Sequence, residues 1–283
     1  MEFKQTGALL FIPDGLHETR ALERTTHMAV AAHQDDIEII AYHGILECFG
    51  SEERWFTGVT VTDGSGSPRS GMYGRYSDAD MQKVRKLEQR KAAIVGEYAA
   101  VALLDYPSSA LRDPSKTGVV EDLRALLAAA RPEVIYTHNL ADKHDTHVAV
   151  ALRTIQAIRS LPALSRPKSL YGCEVWRDLD WLPDDDKVAF DVGGHENLAA
   201  ALIGVFDSQI AGGKRYDLAT SGRRRAHATY HASHETDETT GMTFAMNLTP
   251  LIEDPELDVE RYVMDHIRRF QDDVAARLRK FSG

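Results

Sequence analysis

Met28-Ala29-Val30-Ala31-Ala32 is an unbroken apolar run of strand length, and a strand with no polar alternation has to be covered on both faces. A parallel sheet meets that demand, because the crossovers joining its strands lay helices over both sides. The residues that follow supply such crossovers. The first core strand is expected at 26–32, with His33 at its carboxyl end. A helix then starts near Asp36, runs through Ile37, Ile39, Ile40, Tyr42 and Ile45, and stops before Gly50. Residues 55–62, rich in β-branched side chains, predict a second strand, and 63–71 (Asp-Gly-Ser-Gly-Ser-Pro-Arg-Ser-Gly) a surface loop dense in turn formers. A helix at 78–98 carries Met81, Val84, Leu87, Ile94 and Val95 between charges. Further strands are expected at 101–104 and 133–137, and helices at 121–130 and 147–160.

Beyond Pro162 the pattern loosens, with strands expected at 170–175 and 188–192 and helices at 196–209, 221–233 and 259–280, either extending the sheet or capping it. The reading is an α/β fold: a Rossmann-like open, mostly parallel sheet flanked by helices, with a less regular C-terminal extension. Its 283 residues are expected to form a single domain, with a core at 26–160 and the extension at 161–283. In such sheets ligands bind outside the carboxyl ends of the strands.

Composition excludes several functions. With 43 acidic and 33 basic side chains the net charge is −10, which opposes nucleic-acid binding. No apolar run reaches membrane-spanning length, and Ala8-Leu9-Leu10-Phe11-Ile12 is too short for a signal peptide, so a cytoplasmic address and no membrane contact are expected. Cys48 and Cys173 lie outside any CxxC pattern and are expected to be buried free thiols. No G-x-G-x-x-G follows the first strand, which disfavours a dinucleotide site.

His33-Gln34-Asp35-Asp36 sets an imidazole and two consecutive carboxylates where a buried strand gives way to a loop. Like charges so crowded need a positive partner, and a divalent cation is the economical one. A plain helix cap by Asp36 is the competing explanation. Asp142, His144, Asp145 and His147 form a second cluster, also at a strand end, and two such clusters favour the cation.

These residues resemble the PIG-L/LmbE family of zinc-dependent N-acetylglucosaminyl deacetylases. Ala32-His33-Gln34-Asp35-Asp36-Ile37-Glu38 is similar to the family's Ala-His-Pro-Asp-Asp-Glu motif with one residue inserted before the glutamate, and Asp142-Lys143-His144-Asp145-Thr146-His147 partly matches its Asp-x-His-x-Asp-His. Arg85, Glu88, Ala92 and Gly96 resemble its Arg-x-x-Glu helix, and Thr62-Asp63-Gly64 its loop after the second strand. The likeness runs from Met28 to Ile158. It implies one zinc ion on His33, Asp36 and His147, Asp35 as general base, and His144, protonated, stabilising the oxyanion. Two imidazoles and one carboxylate leave a coordination position for water, and other divalent transition metals suit the same donors.

Two departures stand out. Gln34 replaces proline, a stiffening role that can be given up without touching a ligand, and Thr146 replaces an aspartate able to orient His144, so that either Asp142 or Asp145 substitutes for it or the pH profile shifts. The expected substrate is an N-acetylated amino sugar or its glycoside. The rivals are a metal-dependent amidase or esterase on a non-sugar substrate, and a non-catalytic metal- or sugar-binding protein. Association into a homo-oligomer is left open.

Other candidates rank lower. Arg69 could clamp a substrate, although solvation in its loop is the simpler expectation. His227, His231 and His234 share helical spacing, and a solvated face is favoured over a second metal site, with His231 kept as a substrate-side candidate. Asp184-Asp185-Asp186 reads as a turn, and Arg223-Arg224-Arg225 as a solvated helix start or an oligomer contact.

Overall fold

The computed structural model describes residues 1–282. Its eight strands are β1 (Leu9–Phe11), β2 (His27–Ala31), β3 (Phe56–Thr62), β4 (Ala100–Tyr106), β5 (Val134–His138), β6 (Ser169–Cys173), β7 (Lys187–Asp191) and β8 (Met242–Asn247). They join in one sheet of order β1-β4-β3-β2-β5-β6-β8-β7. The five strands from β2 to β6 pair in parallel, while β1 runs antiparallel to β4, and β8 antiparallel to β6 and β7.

Alternate residues of β2 go to opposite faces, as the pleat requires. Met28, Val30 and Ala32 pack with Leu123, Leu126 and Leu127 of helix Gly118–Ala130 and with Val150 and Ile158 of helix Asp145–Arg159. Ala29 and Ala31 pack on the other face with Ile37, Ile40, Ala92 and Leu202. Both faces are covered, as the run's lack of polar residues demanded. From β2 the chain builds β3 and β4 to one side, then crosses to β5 and β6 on the other, so strand order reverses between β2 and β5. A crevice opens at such a reversal.

The C-terminal third extends the sheet through β6, β7 and β8. Neither β1 nor β8 was expected; β1 has only three residues, and β8 lies between segments read as helices. The first helix is not continuous but breaks at Ala41 (φ −117°, ψ 20°) into Asp36–Ile40 and Tyr42–Cys48. At the break, Arg224 donates to the carbonyls of Glu38 (2.9 Å) and Ile39 (3.3 Å). The helix expected at 78–98 ends at Val95, because Glu97 takes a left-handed turn (φ 55°) into β4. That expected at 196–209 divides into Glu196–Gly204 and Asp207–Ile210, and that at 221–233 is instead Tyr216–Tyr230.

Cys48 and Cys173 are buried free thiols. Asp184–Asp186 forms one 3-10 turn ahead of β7. No helix among the described residues is long and apolar enough to cross a membrane. Arg224 corrects the expectation of a solvated basic run: it is buried, with its guanidinium 4.5 Å over the Tyr42 ring. Replacing Arg224 with Met strands the carbonyls it serves and should lower stability by roughly 2–4 kcal/mol; an unchanged midpoint in urea unfolding would contradict this.

Candidate metal centre

The reversal between β2 and β5 brings together two chain segments more than a hundred residues apart. His33 follows β2 directly, Asp36 opens the helix behind it, and His147 lies in the first turn of helix Asp145–Arg159 after β5. His33 Nδ1 is 3.1 Å from Asp36 Oδ2 and 3.2 Å from His147 Nε2, and His147 Nε2 is 3.3 Å from Asp36 Oδ2. Donors held about 2.0–2.1 Å from a tetrahedral ion stand roughly 3.3 Å apart, so the triangle fits one small cation. Two imidazole nitrogens facing each other also lack a mutual hydrogen bond unless one is protonated.

His147 is oriented from behind: its Nδ1 lies 3.3 Å from Asp142 Oδ2. Asp142 is itself fixed by the backbone N–H groups of His144 (3.0 Å) and Trp176 (3.3 Å). Carboxylate behind imidazole is the usual support of a metal-binding histidine. Without a cation, burial opposes charge on both partners, yet Asp36 and Asp142 raise His147 to about 9, while His147 and His138 hold Asp36 well below the usual carboxylate range.

Asp142 therefore serves His147 and does not orient the His144 ring. Asp145 is exposed and does not either. The His144 ring stacks on His147 (centroids 4.5 Å apart) and meets His33 edge-on at 5.1 Å, but its Nδ1 is buried without a partner. Burial first, then His147 and His33, pushes its pKa down.

Asp35 occupies strained backbone (φ 90°), a conformation that non-glycine residues adopt only when their surroundings impose it. Arg85 imposes it. This buried guanidinium donates to Asp35 Oδ2 (2.8 Å), to the Gln34 carbonyl and to Glu88 Oε2 (2.9 Å). Glu88 is anchored in turn by the Ser208 N–H (2.7 Å) and hydroxyl (2.8 Å). Burial raises Asp35 to about 6, with Arg85 opposing and Asp36 adding to the rise.

Gln34 is not idle. Its amide donates to the Thr62 carbonyl (3.1 Å), tying the exit of β2 to the end of β3. Gly64 leaves room for it: at φ 74°, an added Cβ would sit 2.7 Å from Gln34 Oε1.

His33, Asp35, Asp36, Arg85 and His144 line a cavity of 340 Å³, bounded also by Trp176, Tyr216 and residues of the loop from Gly64 to Pro68, with His147 buried behind it. A larger cavity of 610 Å³ lies between helices Glu196–Gly204 and Tyr216–Tyr230 and contains none of the clustered residues. Arg69 does not line the first cavity; it binds the Ser65 (2.6 Å) and Tyr76 (3.0 Å) carbonyls and Asp78, closing its own loop. His231 stands at the end of helix Tyr216–Tyr230, its ring 5.5 Å from Phe244 and outside that cavity. His227 pairs with Glu174 at 2.9 Å, and His234 lies past the helix end, so the three histidines share no helix face.

His138, the last residue of β5, escaped the sequence reading. It is fully buried, stacks on His147 at 3.9 Å and lies 3.6 Å from Asp36 Oδ2. Its Nε2 accepts the Ala32 N–H at 2.9 Å, which commits that lone pair and leaves His33 better placed as a donor to a cation. Its position one residue past the predicted strand end was the available signal.

Beneath the cluster, Glu38 is buried with Gln89 (2.7 Å) and Tyr98 (2.8 Å) donating to it, and burial raises its carboxyl to about 8. The folded protein then keeps a proton that the unfolded chain has released. The resulting stability is full below about pH 4.5 and is lost as pH rises through about 8, by up to roughly 1.4 kcal/mol per unit. Thermal unfolding of Glu38→Gln should show a flatter pH dependence than wild type across that window; parallel profiles would refute the assignment.

Residues 28–158 match the family model described as PIG-L, GlcNAc-PI de-N-acetylase. No curated protein matches the sequence. Similar solved structures include N,N'-diacetylchitobiose deacetylase from Pyrococcus horikoshii, at 14% identity and TM-score 0.62, over 84% of this chain and 88% of that one. GalB, the 4-carboxy-2-hydroxymuconate hydratase from Pseudomonas putida KT2440, has 16% identity and TM-score 0.61, over 79% of this chain and 95% of that one. The zinc-inhibited form of the teicoplanin deacetylase Orf2 has 13% identity and TM-score 0.54, over 78% and 98%. At these identities the likeness is one of fold.

Proposed function

Since residues 28–158 belong to the PIG-L family, we propose that this protein is a metal-dependent hydrolase that removes the N-acetyl group from an N-acetylated amino sugar or its glycoside. The observation that carries the reading is the triangle of His33, Asp36 and His147 donors, 3.1 to 3.3 Å on a side, at the carboxyl end of the sheet. These three residues would hold the ion, with Asp142 fixing His147. Zinc suits the donor set, as do other divalent transition metals. When bound, such an ion supplies Lewis acidity toward a water and an acyl carbonyl.

The protein's own groups handle the proton. Asp35, at about 6, is largely ionised at neutral pH and accepts a proton from the attacking water. Arg85 holds the carboxylate in place and favours its charged form. Asp35 returns the proton to the amine nitrogen as the C–N bond breaks, leaving acetate and a free amino group. His144 faces the same cavity as a hydrogen-bond donor for the carbonyl oxygen as negative charge develops. Its lowered pKa and missing carboxylate partner assign it to the neutral imidazole, in place of the protonated form expected from the sequence. The aromatic faces of Trp176 and Tyr216 offer a wall for an apolar sugar face.

Acetate release from a panel of N-acetylated sugars and simple amides and esters separates this reading from a metal-dependent amidase or esterase. Asp35→Asn should reduce turnover by about 10²–10⁴-fold while metal content stays near that of wild type. His147→Ala should lose both. Full turnover in Asp35→Asn would remove the base from the scheme. Metal binding with no hydrolysis across the panel would support a non-catalytic binding protein instead.

A further inference from the structure

We propose that the C-terminal helix, Val259–Phe281, pairs with the same helix of a second copy of this chain, the two running antiparallel. The pairing is independent of the reaction assigned above. Met264, Gln271 and Leu278 recur at intervals of seven, as do Ile267, Val274 and Phe281, offset from the first set by three. This is the spacing of a helix that packs on another along one seam. Five of these six side chains are apolar, and all six are exposed.

The body of the protein holds this helix by a different face. Val259 and Tyr262 pack on the core, the Tyr262 hydroxyl donates to the Asn247 carbonyl (2.6 Å), and Arg269 pairs with Asp186 (2.7 Å). His266 is the helix's one buried residue, and toward the C-terminus exposure rises to 63% at Leu278 and 80% at Phe281. At 1.5 Å per residue the seam runs roughly 27 Å from Met264 to Phe281. Pairing two such seams buries on the order of 1,000 Å², which a specific interface requires. A continuous apolar stripe of this length differs from the scattered exposed residues of an ordinary surface.

Charge identifies the occupant and its direction. Residues 259–273 carry four acids and three bases and lie beside the Asp184–Asp186 turn, whereas residues 274–281 carry three bases, Arg277, Arg279 and Lys280, and no acid. A membrane-surface helix is rich in cations along its polar face, which the four acids contradict. Antiparallel pairing lays Met264 on Phe281, Ile267 on Leu278 and Gln271 on Val274 of the other copy. Each basic end then meets the acid-bearing half of the other helix and its flanking aspartates, and the helix dipoles oppose. A parallel pair would set the two basic ends against each other. The two Gln271 amides come next to the two-fold axis, within reach of one another, so that the polar position of the seam fixes the register.

The test is sedimentation velocity of the full chain over a range of micromolar concentrations. Wild type should associate, and Leu278→Glu/Phe281→Glu should weaken that association by about a hundredfold or more, because pairing would bury carboxylates without partners. Direction is read by mild oxidation of cysteine variants. Ile267→Cys/Leu278→Cys should give covalent dimers, while neither single variant does. A wild type that stays monomeric throughout overturns the proposal, as does an association that survives the double glutamate variant, since the copies would then meet elsewhere. Covalent dimers of Ile267→Cys alone would show a parallel pair and overturn the antiparallel one. Co-sedimentation of a monomeric wild type with phosphatidylcholine–phosphatidylglycerol vesicles, lost in Leu278→Glu/Phe281→Glu, would assign the seam to a lipid surface instead.

Discussion

Four carboxyl groups, those of Asp35, Asp36, Glu38 and Glu88, are buried close behind the end of β2, and the surrounding structure is organised around making that tolerable. Burying an uncompensated carboxylate is among the most unfavourable events in folding. Each of these is relieved differently. Arg85 serves Asp35 and Glu88, the imidazoles of His33 and His147 serve Asp36, and Glu38 is relieved by keeping its proton. A cation placed among His33, Asp36 and His147 would complete this arrangement, and the strained backbone at Asp35 is held between Arg85 and Gln89.

The clustering of His33, Asp36 and His147 was largely legible in the sequence. His33, Asp36 and His147 follow continuous apolar strands, and the βα alternation sends the ends of such strands to one edge of a sheet. What stayed hidden depends on distant partners. The break at Ala41 involves Arg224, which follows it by more than 180 residues, and no local propensity encodes that contact. His138 sits one residue past the predicted end of β5, where boundary placement is least certain. Asp142 carried no sign of which histidine it would support. Strand β8 pairs antiparallel with both of its neighbours, outside the alternation that guided the reading.

The two departures from the family motifs have unequal consequences. Gln34 replaces a rigid residue with a hydrogen bond to β3 and so preserves the connection by other means. Thr146 leaves the His144 ring without a carboxylate partner, which in the proposed reaction places the acid–base work on Asp35. Similarity of fold to both deacetylases and a hydratase fits this picture: the sheet supplies a position for chemistry, and a few side chains decide which reaction occurs there.

The order of strands in the sheet also has a kinetic meaning. His33 and His147 are 114 residues apart along the chain and meet only after β2 and β5 have docked in register. An emerging polypeptide that has completed β2, β3 and β4 therefore carries His33 and Asp36 without His147. The walls that Trp176 and Tyr216 give the cavity are added later still.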